Sequence, residues 1–96
     1  MSELEGAVRD VLEVDADFRW MMSHPAGRRL LYRWMQQAGL FSSSFSADAN
    51  VSAFNEGRRA WAVAMLQYAQ TREPRLATVM VREAAEAVEL EMLTRK

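Results

Sequence analysis

Apolar residues recur along most of this chain at intervals of three and four. No segment of useful length alternates apolar and polar positions, so the pattern predicts helices and no sheet. Leu4, Val8, Val11 and Leu12 mark a helix over residues 3 to about 15. Glu3 and Glu5 stand in its first turn, where the helix dipole favours acids. A short helix over about 16–22 follows and turns Phe18, Met21 and Met22 inward; the pattern leaves open whether these two segments are one helix. Ser23-His24-Pro25 then interrupts, because the residue before a proline is pushed away from α geometry. Pro25 suits the first turn of a helix running to Ala38, with Leu31, Trp34, Met35 and Ala38 on one face and Gly39 as the residue that ends it.

Residues 40–50 read as the one clear loop, rich in serine at 42–44 and 46; Phe41 and Phe45 are expected to pin it onto the helices. Asp48, Asn50 or Ser52 can cap a third helix over about 51–70, whose stripe is Val51, Phe54, Arg58, Trp61, Met65 and Tyr68. After Thr71-Arg72-Glu73, Pro74 opens a last helix that reaches about Leu93, with Leu76, Val79, Met80, Ala84, Ala87 and Val88 facing inward and Glu83, Glu86 and Glu89 outward. Short connections favour antiparallel neighbours. The expectation is an all-α compact bundle of about four helices, a short fifth remaining open, in a single domain over 1–96. Its expected core is Phe54, Trp61, Met65, Leu31, Trp34 and Met80.

Composition narrows this picture. Half of the 96 residues are apolar, enough for one core but not two. Ala, Leu, Met, Val and Trp dominate, and isoleucine is absent. There is no cysteine, which removes disulfides, thiolate metal sites and thiol nucleophiles. The acidic start does not resemble a secretory signal, and the apolar runs are too broken to cross a bilayer, so a soluble intracellular protein is expected. Charge is unevenly placed: residues 1–17 hold six acids against Arg9, residues 18–82 hold nine arginines against Asp48, Glu56 and Glu73, and the C-terminal end is again acidic. A basic middle can bind an anionic partner or pair with the acidic ends, and pairing is the preferred reading.

Catalytic chemistry finds no foothold. His24 is the single histidine and has no second ligand or base beside it, so a capping or surface role is expected. Serines 42–44 lack a nucleophile-elbow context, and no phosphate loop or two-histidine metal motif occurs. Glu83, Glu86 and Glu89 read as a solvated face rather than a cation site. No enzyme activity, cofactor or metal is expected.

An internal echo is more informative. Gly27-Arg28-Arg29 and Gly57-Arg58-Arg59 each open an apolar run. Glycine in a helix interior costs roughly 0.5–1 kcal/mol relative to alanine, so close approach of the two backbones at Gly27 and Gly57 is the simplest compensation. The arginine pairs then lie near each other, with Arg33 on the same helix as the first. Glu56, the acid in this basic stretch, is expected to pair with Arg28, Arg29 or Arg59 and to fix geometry more than add stability. The candidate contact or fold-defining residues are therefore Arg28, Arg29, Arg33, Glu56, Arg58 and Arg59.

The runs Asp17-Phe18-Arg19-Trp20-Met21-Met22, Gly27-Arg28-Arg29, Ala38-Gly39-Leu40-Phe41, Ser43-Ser44-Phe45 and Ala53-Phe54-Asn55-Glu56-Gly57-Arg58-Arg59 together resemble the Bbp-nineteen-like family of small tailed-bacteriophage proteins. The resemblance covers about residues 16–84, and Phe-Asn-Glu-Gly-Arg-Arg is its most specific block. It implies membership of the particle-building set, in assembly or as a minor virion component, and brings over no catalytic residue. The expected partners are other phage proteins or further copies of the chain, with no membrane, and the expected place is the host cytoplasm or the virion. Two alternatives stay open: an arginine-rich nucleic-acid binder and a regulator that binds a host protein. Against the first stand the slightly negative net charge and the scarcity of lysine.

Overall fold

The computed structural model describes residues 2–95 and is all-α. Four helices follow in order: α1 Glu3–Met22, α2 Pro25–Gln37, α3 Ala49–Arg72 and α4 Pro74–Thr94. The first two predicted segments are one helix of 20 residues, since no Pro or Gly falls between Gly6 and Ser23 to break it. Ser2 caps it, its hydroxyl accepting from the Glu5 N–H. At the other end Ser23 Oγ and His24 Nδ1 both donate to the Trp20 carbonyl, at 2.6 and 2.7 Å, and reinforce the longer 3.2 Å bond it takes from the Ser23 N–H in the last turn.

α2 ends on the glycine stop expected of it. Gly39 takes φ 93°, the Gly39 N–H donates to the Gln36 carbonyl and the Leu40 N–H to the Met35 carbonyl. This is the Schellman arrangement, and its accompanying apolar contact is made by Leu40, which is buried. The loop is thus pinned by Leu40. Phe41 is mostly exposed, its ring tilted 45° to that of Tyr32 at 6.1 Å between centroids, and Phe45 stands in solvent. Both phenylalanines depart from expectation because the chain reverses at Gly39 before either can reach the core. Asp48 caps α3, its Oδ1 accepting from Asn50 and Val51 at 2.8 and 3.2 Å.

The buried core is Phe18, Met22, Leu31, Met35, Leu40 and Met80, closed by Ala62, Ala69 and Ala77. Leu31 and Met80 are where the sequence puts them, and Met65 is half-buried against the core. Phe54, Trp61 and Trp34 are not: they are 66%, 46% and 47% exposed. In α3 the inward stripe is Ser52, Asn55, Arg59, Ala62, Leu66 and Ala69, one residue on from the expected one. That offset rotates the helix by roughly 100°. In its C-terminal half α3 is apolar on both candidate faces, Trp61, Met65 and Tyr68 on one and Ala62, Leu66 and Ala69 on the other, so its pattern hardly distinguishes them there. Packing chooses the alanine face, which lets backbones approach while flexible methionines fill the space between. In α4 the same choice exposes Val88 and turns Glu83 half inward.

The packed centre carries two projecting ends. The described chain extends 60 × 37 × 16 Å with a radius of gyration of 16.8 Å, against about 12.5 Å for a globule of this length. α1 accounts for one projection: from Glu3 to Val14 every residue except Gly6 is exposed. The C-terminal turns of α4 make the other, with Leu90, Met92 and Leu93 in solvent.

The glycines of the two Gly-Arg-Arg runs serve different ends, and they do not meet. A Cβ on Gly27 would overlap the carbonyl oxygen of Met21, so Gly27 lets α2 start directly against the last turn of α1. A Cβ on Gly57 meets nothing within 4 Å. Gly27→Ala should therefore cost roughly 1–3 kcal/mol by overpacking, whereas Gly57→Ala should gain roughly 0.5–1 kcal/mol; urea unfolding of both variants tests the contrast. By the same logic Met35→Ala should cost roughly 2–5 kcal/mol, and half-exposed Trp61→Ala should cost less than Met35→Ala in the same assay.

Candidate functional site

The loss of a Cβ at Gly27 brings the next side chain to a decisive place. Arg28 is buried, and its Nη1 donates to the Met22 carbonyl at 2.7 Å, at the C-terminal end of α1. A cation is favoured there by the helix dipole. The rest of the guanidinium grips α4: Nε donates to Glu83 Oε1 at 2.7 Å and Nη2 to Oε2 at 3.1 Å. This two-point fork ties α1, α2 and α4 through one side chain, and it is the strong form of a charge-assisted hydrogen bond. The Arg28 hydrogen bond draws the Glu83 carboxyl below its ordinary range, and Glu83 raises Arg28 in turn.

A second set of polar contacts fastens α1 to the corner between α3 and α4. Tyr68 Oη donates to Asp15 Oδ1 at 2.6 Å, Arg72 lies 3.6 Å from the same oxygen, and Arg19 Nε donates to Glu73 Oε1 at 2.7 Å. Phe18 packs edge-on against Tyr68 at 4.8 Å. The Asp15 hydrogen bond, with burial, raises the Tyr68 hydroxyl above its ordinary value. Residues N-terminal to this fastening form the projecting part of α1.

Between α2 and α4 runs a groove of about 350 Å³. Tyr32, Met80, Ala84, Ala87 and Val88 give it apolar walls, and Arg29 and Arg33 stand on its α2 side. Glu83 and Glu91 face it from α4, but Glu83 is held by Arg28 and Glu91 by Arg95 at 3.2 Å.

The five candidate arginines thus divide among three places, and Glu56 joins none of them. Arg28 lies in the three-helix junction, and Arg29 and Arg33 border the groove. Arg58 donates to the Gln37 carbonyl at the far end of α2 and stacks over Phe54, 5.7 Å from its centroid. Arg59 is half-buried beside Arg58, Asn55 and serines 42–44. Gln37 follows Arg28 by nine residues, about 14 Å of helix, so the two arginine pairs do not form one cluster. Glu56 faces solvent and enters no salt bridge among the described residues. The acid that meets Arg28 is Glu83, whose helical spacing with Glu86 and Glu89 predicts a solvated face.

Residues 18–82 match the family described as Bbp19-like phage protein. The chain belongs to that family. The matched span contains both the Gly27–Met21 contact and the Arg28 position, whereas Glu83 and the projecting part of α1 lie just outside it. No curated protein and no solved structure matches the chain. Among the described residues no group of His, Asp and Glu comes together in a way that could hold a metal ion, and no helix is long and apolar enough to cross a membrane.

Glu83→Gln should cost roughly 1–3 kcal/mol at neutral pH, because it leaves a buried guanidinium short of its charged acceptor. Glu56→Ala should stay within roughly 0.5 kcal/mol of the parent. Because the folded value of Glu83 lies below the unfolded one, the pair stabilises fully above the ordinary carboxylate range and is lost as pH falls through the depressed value. Urea midpoints measured across the acid range should show a Glu83-dependent fall in the parent that the glutamine variant lacks.

Proposed function

We propose that this phage protein works through protein–protein contacts rather than catalysis, in particle assembly or as a minor virion component. One observation carries the reading: all three tryptophans and three of the four phenylalanines are outside, Phe18 alone of these being buried. Trp20 is 68% exposed, Trp34 and Trp61 are close to half exposed, and Phe41, Phe45 and Phe54 also face solvent. Tryptophan and phenylalanine are enriched in the buried cores of protein interfaces.

The arginines fit this reading better than a nucleic-acid surface. Arg28 and Arg58 direct their guanidinium groups to main-chain carbonyls of the fold, and the remaining candidates are split between the groove and the far end of α2. Phosphate binding draws on several cations along one face. The host cytoplasm is then the place of action, with the virion as the destination of a component that stays in the particle.

Mass spectrometry of purified particles, together with crosslinking in infected cells, tests the proposal. The expected result is this chain in particles at a defined copy number, or crosslinked to particle proteins during assembly. Its absence from both, combined with salt-sensitive binding to DNA or RNA that Arg29→Ala with Arg33→Ala abolishes, would replace this reading with the nucleic-acid one.

A further inference from the structure

We propose that two copies of this chain associate reciprocally, the acidic N-terminal arm of α1 from each lying in the arginine-bordered groove between α2 and α4 of the other. This rests on the reading of the protein as one that works by protein contact, and it names one partner, a second copy.

The arm carries an apolar face with nothing on it. Leu4, Val8 and Val11 lie on the same side of α1 as Phe18 and Met22, so one continuous stripe is buried at its C-terminal end and exposed at its N-terminal end. Leu12 and Ala7 widen the exposed part. A helical segment of this length is marginal in water unless its apolar face is packed. Docking supplies that packing.

The groove supplies the matching surface. Its floor is apolar, from Tyr32 and Met80 to Val88, and it follows α2 from Pro25 to Gln36. That stretch is about 17 Å of helix, and the arm from residue 3 to 14 has the same length. The charges also match. The arm holds Glu3, Glu5, Asp10 and Glu13 against Arg9. Around the helix, Glu5 falls on one border of the apolar stripe and Glu3 and Asp10 on the other, the positions that meet a rim. The rim offers Arg29 and Arg33, while the two acids of the groove are already engaged by Arg28 and Arg95. Pairing of one arm with another arm would instead bring two acidic surfaces together, which costs affinity. A two-fold exchange uses the same arm and groove on both copies and closes on itself, as an isologous dimer requires.

Sedimentation velocity on the full chain, over a concentration series, tests the exchange. The parent should dimerise, and added salt should weaken the dimer. An arm variant, Glu3→Lys with Glu5→Lys and Asp10→Lys, and a groove variant, Arg29→Glu with Arg33→Glu, should each lose association by more than roughly tenfold, since like charges then face each other. All five positions are exposed, so the far-UV circular dichroism should remain that of the parent. Mixed together, the two variants should form a heterodimer, because each arm then meets a groove of opposite sign. A monomeric parent overturns the proposal, as does a mixture that stays monomeric. Association lost in Val8→Asp with Val11→Asp but retained in the groove variant also overturns it and assigns the contact to arm–arm pairing. A monomeric parent that is nonetheless found in particles would remove the exchange and leave the assembly reading in place; a dimer formed as described by a chain absent from particles and their proteins would do the reverse.

Discussion

The buried guanidinium of Arg28 is the constraint on which the arrangement of the helices depends. A charge taken from water costs several kcal/mol unless its donors are satisfied. Arg28 is placed where the last turn of α1 presents a carbonyl and α4 presents a carboxylate. The placement works because Gly27, one residue earlier, has no Cβ to hold the start of α2 away from Met21. Glycine and arginine in sequence thus act as one device: the first brings two backbones together, and the second fills the polar needs of the junction. α3 contributes no charged group to that junction and is held instead by alanine and methionine packing.

This division explains the distribution of surfaces. With α1 fixed by Arg28 at its end and by Tyr68, Arg72 and Glu73 at the level of Asp15 and Arg19, its first turns project with their apolar side chains exposed. Small residues on the inner face of α3 keep the centre thin, and the large residues that would otherwise fill a core are turned outward. A small protein with few buried large side chains gains limited stability from its own core. Covering its apolar faces with a partner would stabilise it further by mass action.

Much of the fold was legible in the sequence because it depends on local signals. Pro25, Gly39, Asp48 and Pro74 mark helix ends by mechanisms confined to a turn or two, and each stands where the structure begins or ends a helix. Orientation about the helix axis was less legible. α3 offers two apolar stripes, and choosing Phe54 and Trp61 over Ala62 and Ala69 follows side-chain size, whereas packing rewards close approach. The site shows the same limit. The Gly-Arg-Arg echo draws attention to Arg28, but its partner Glu83 is 55 residues away in sequence. Nearness in sequence suggested Glu56 in its place. Glu83 also sits in a run of acids at helical spacing, and only the position of α4 against α2 separates it from Glu86 and Glu89.

The central claim is that Arg28 and Glu83 act together to hold the junction. A double-mutant cycle with Arg28→Met, Glu83→Met and the double variant, measured by urea unfolding, tests it most directly. The account predicts that the double variant is more stable than the sum of the single losses implies, by more than about 1 kcal/mol, because methionine at both positions leaves neither charge unpartnered. Additivity within about 0.5 kcal/mol would contradict it and reduce the fork to a surface contact.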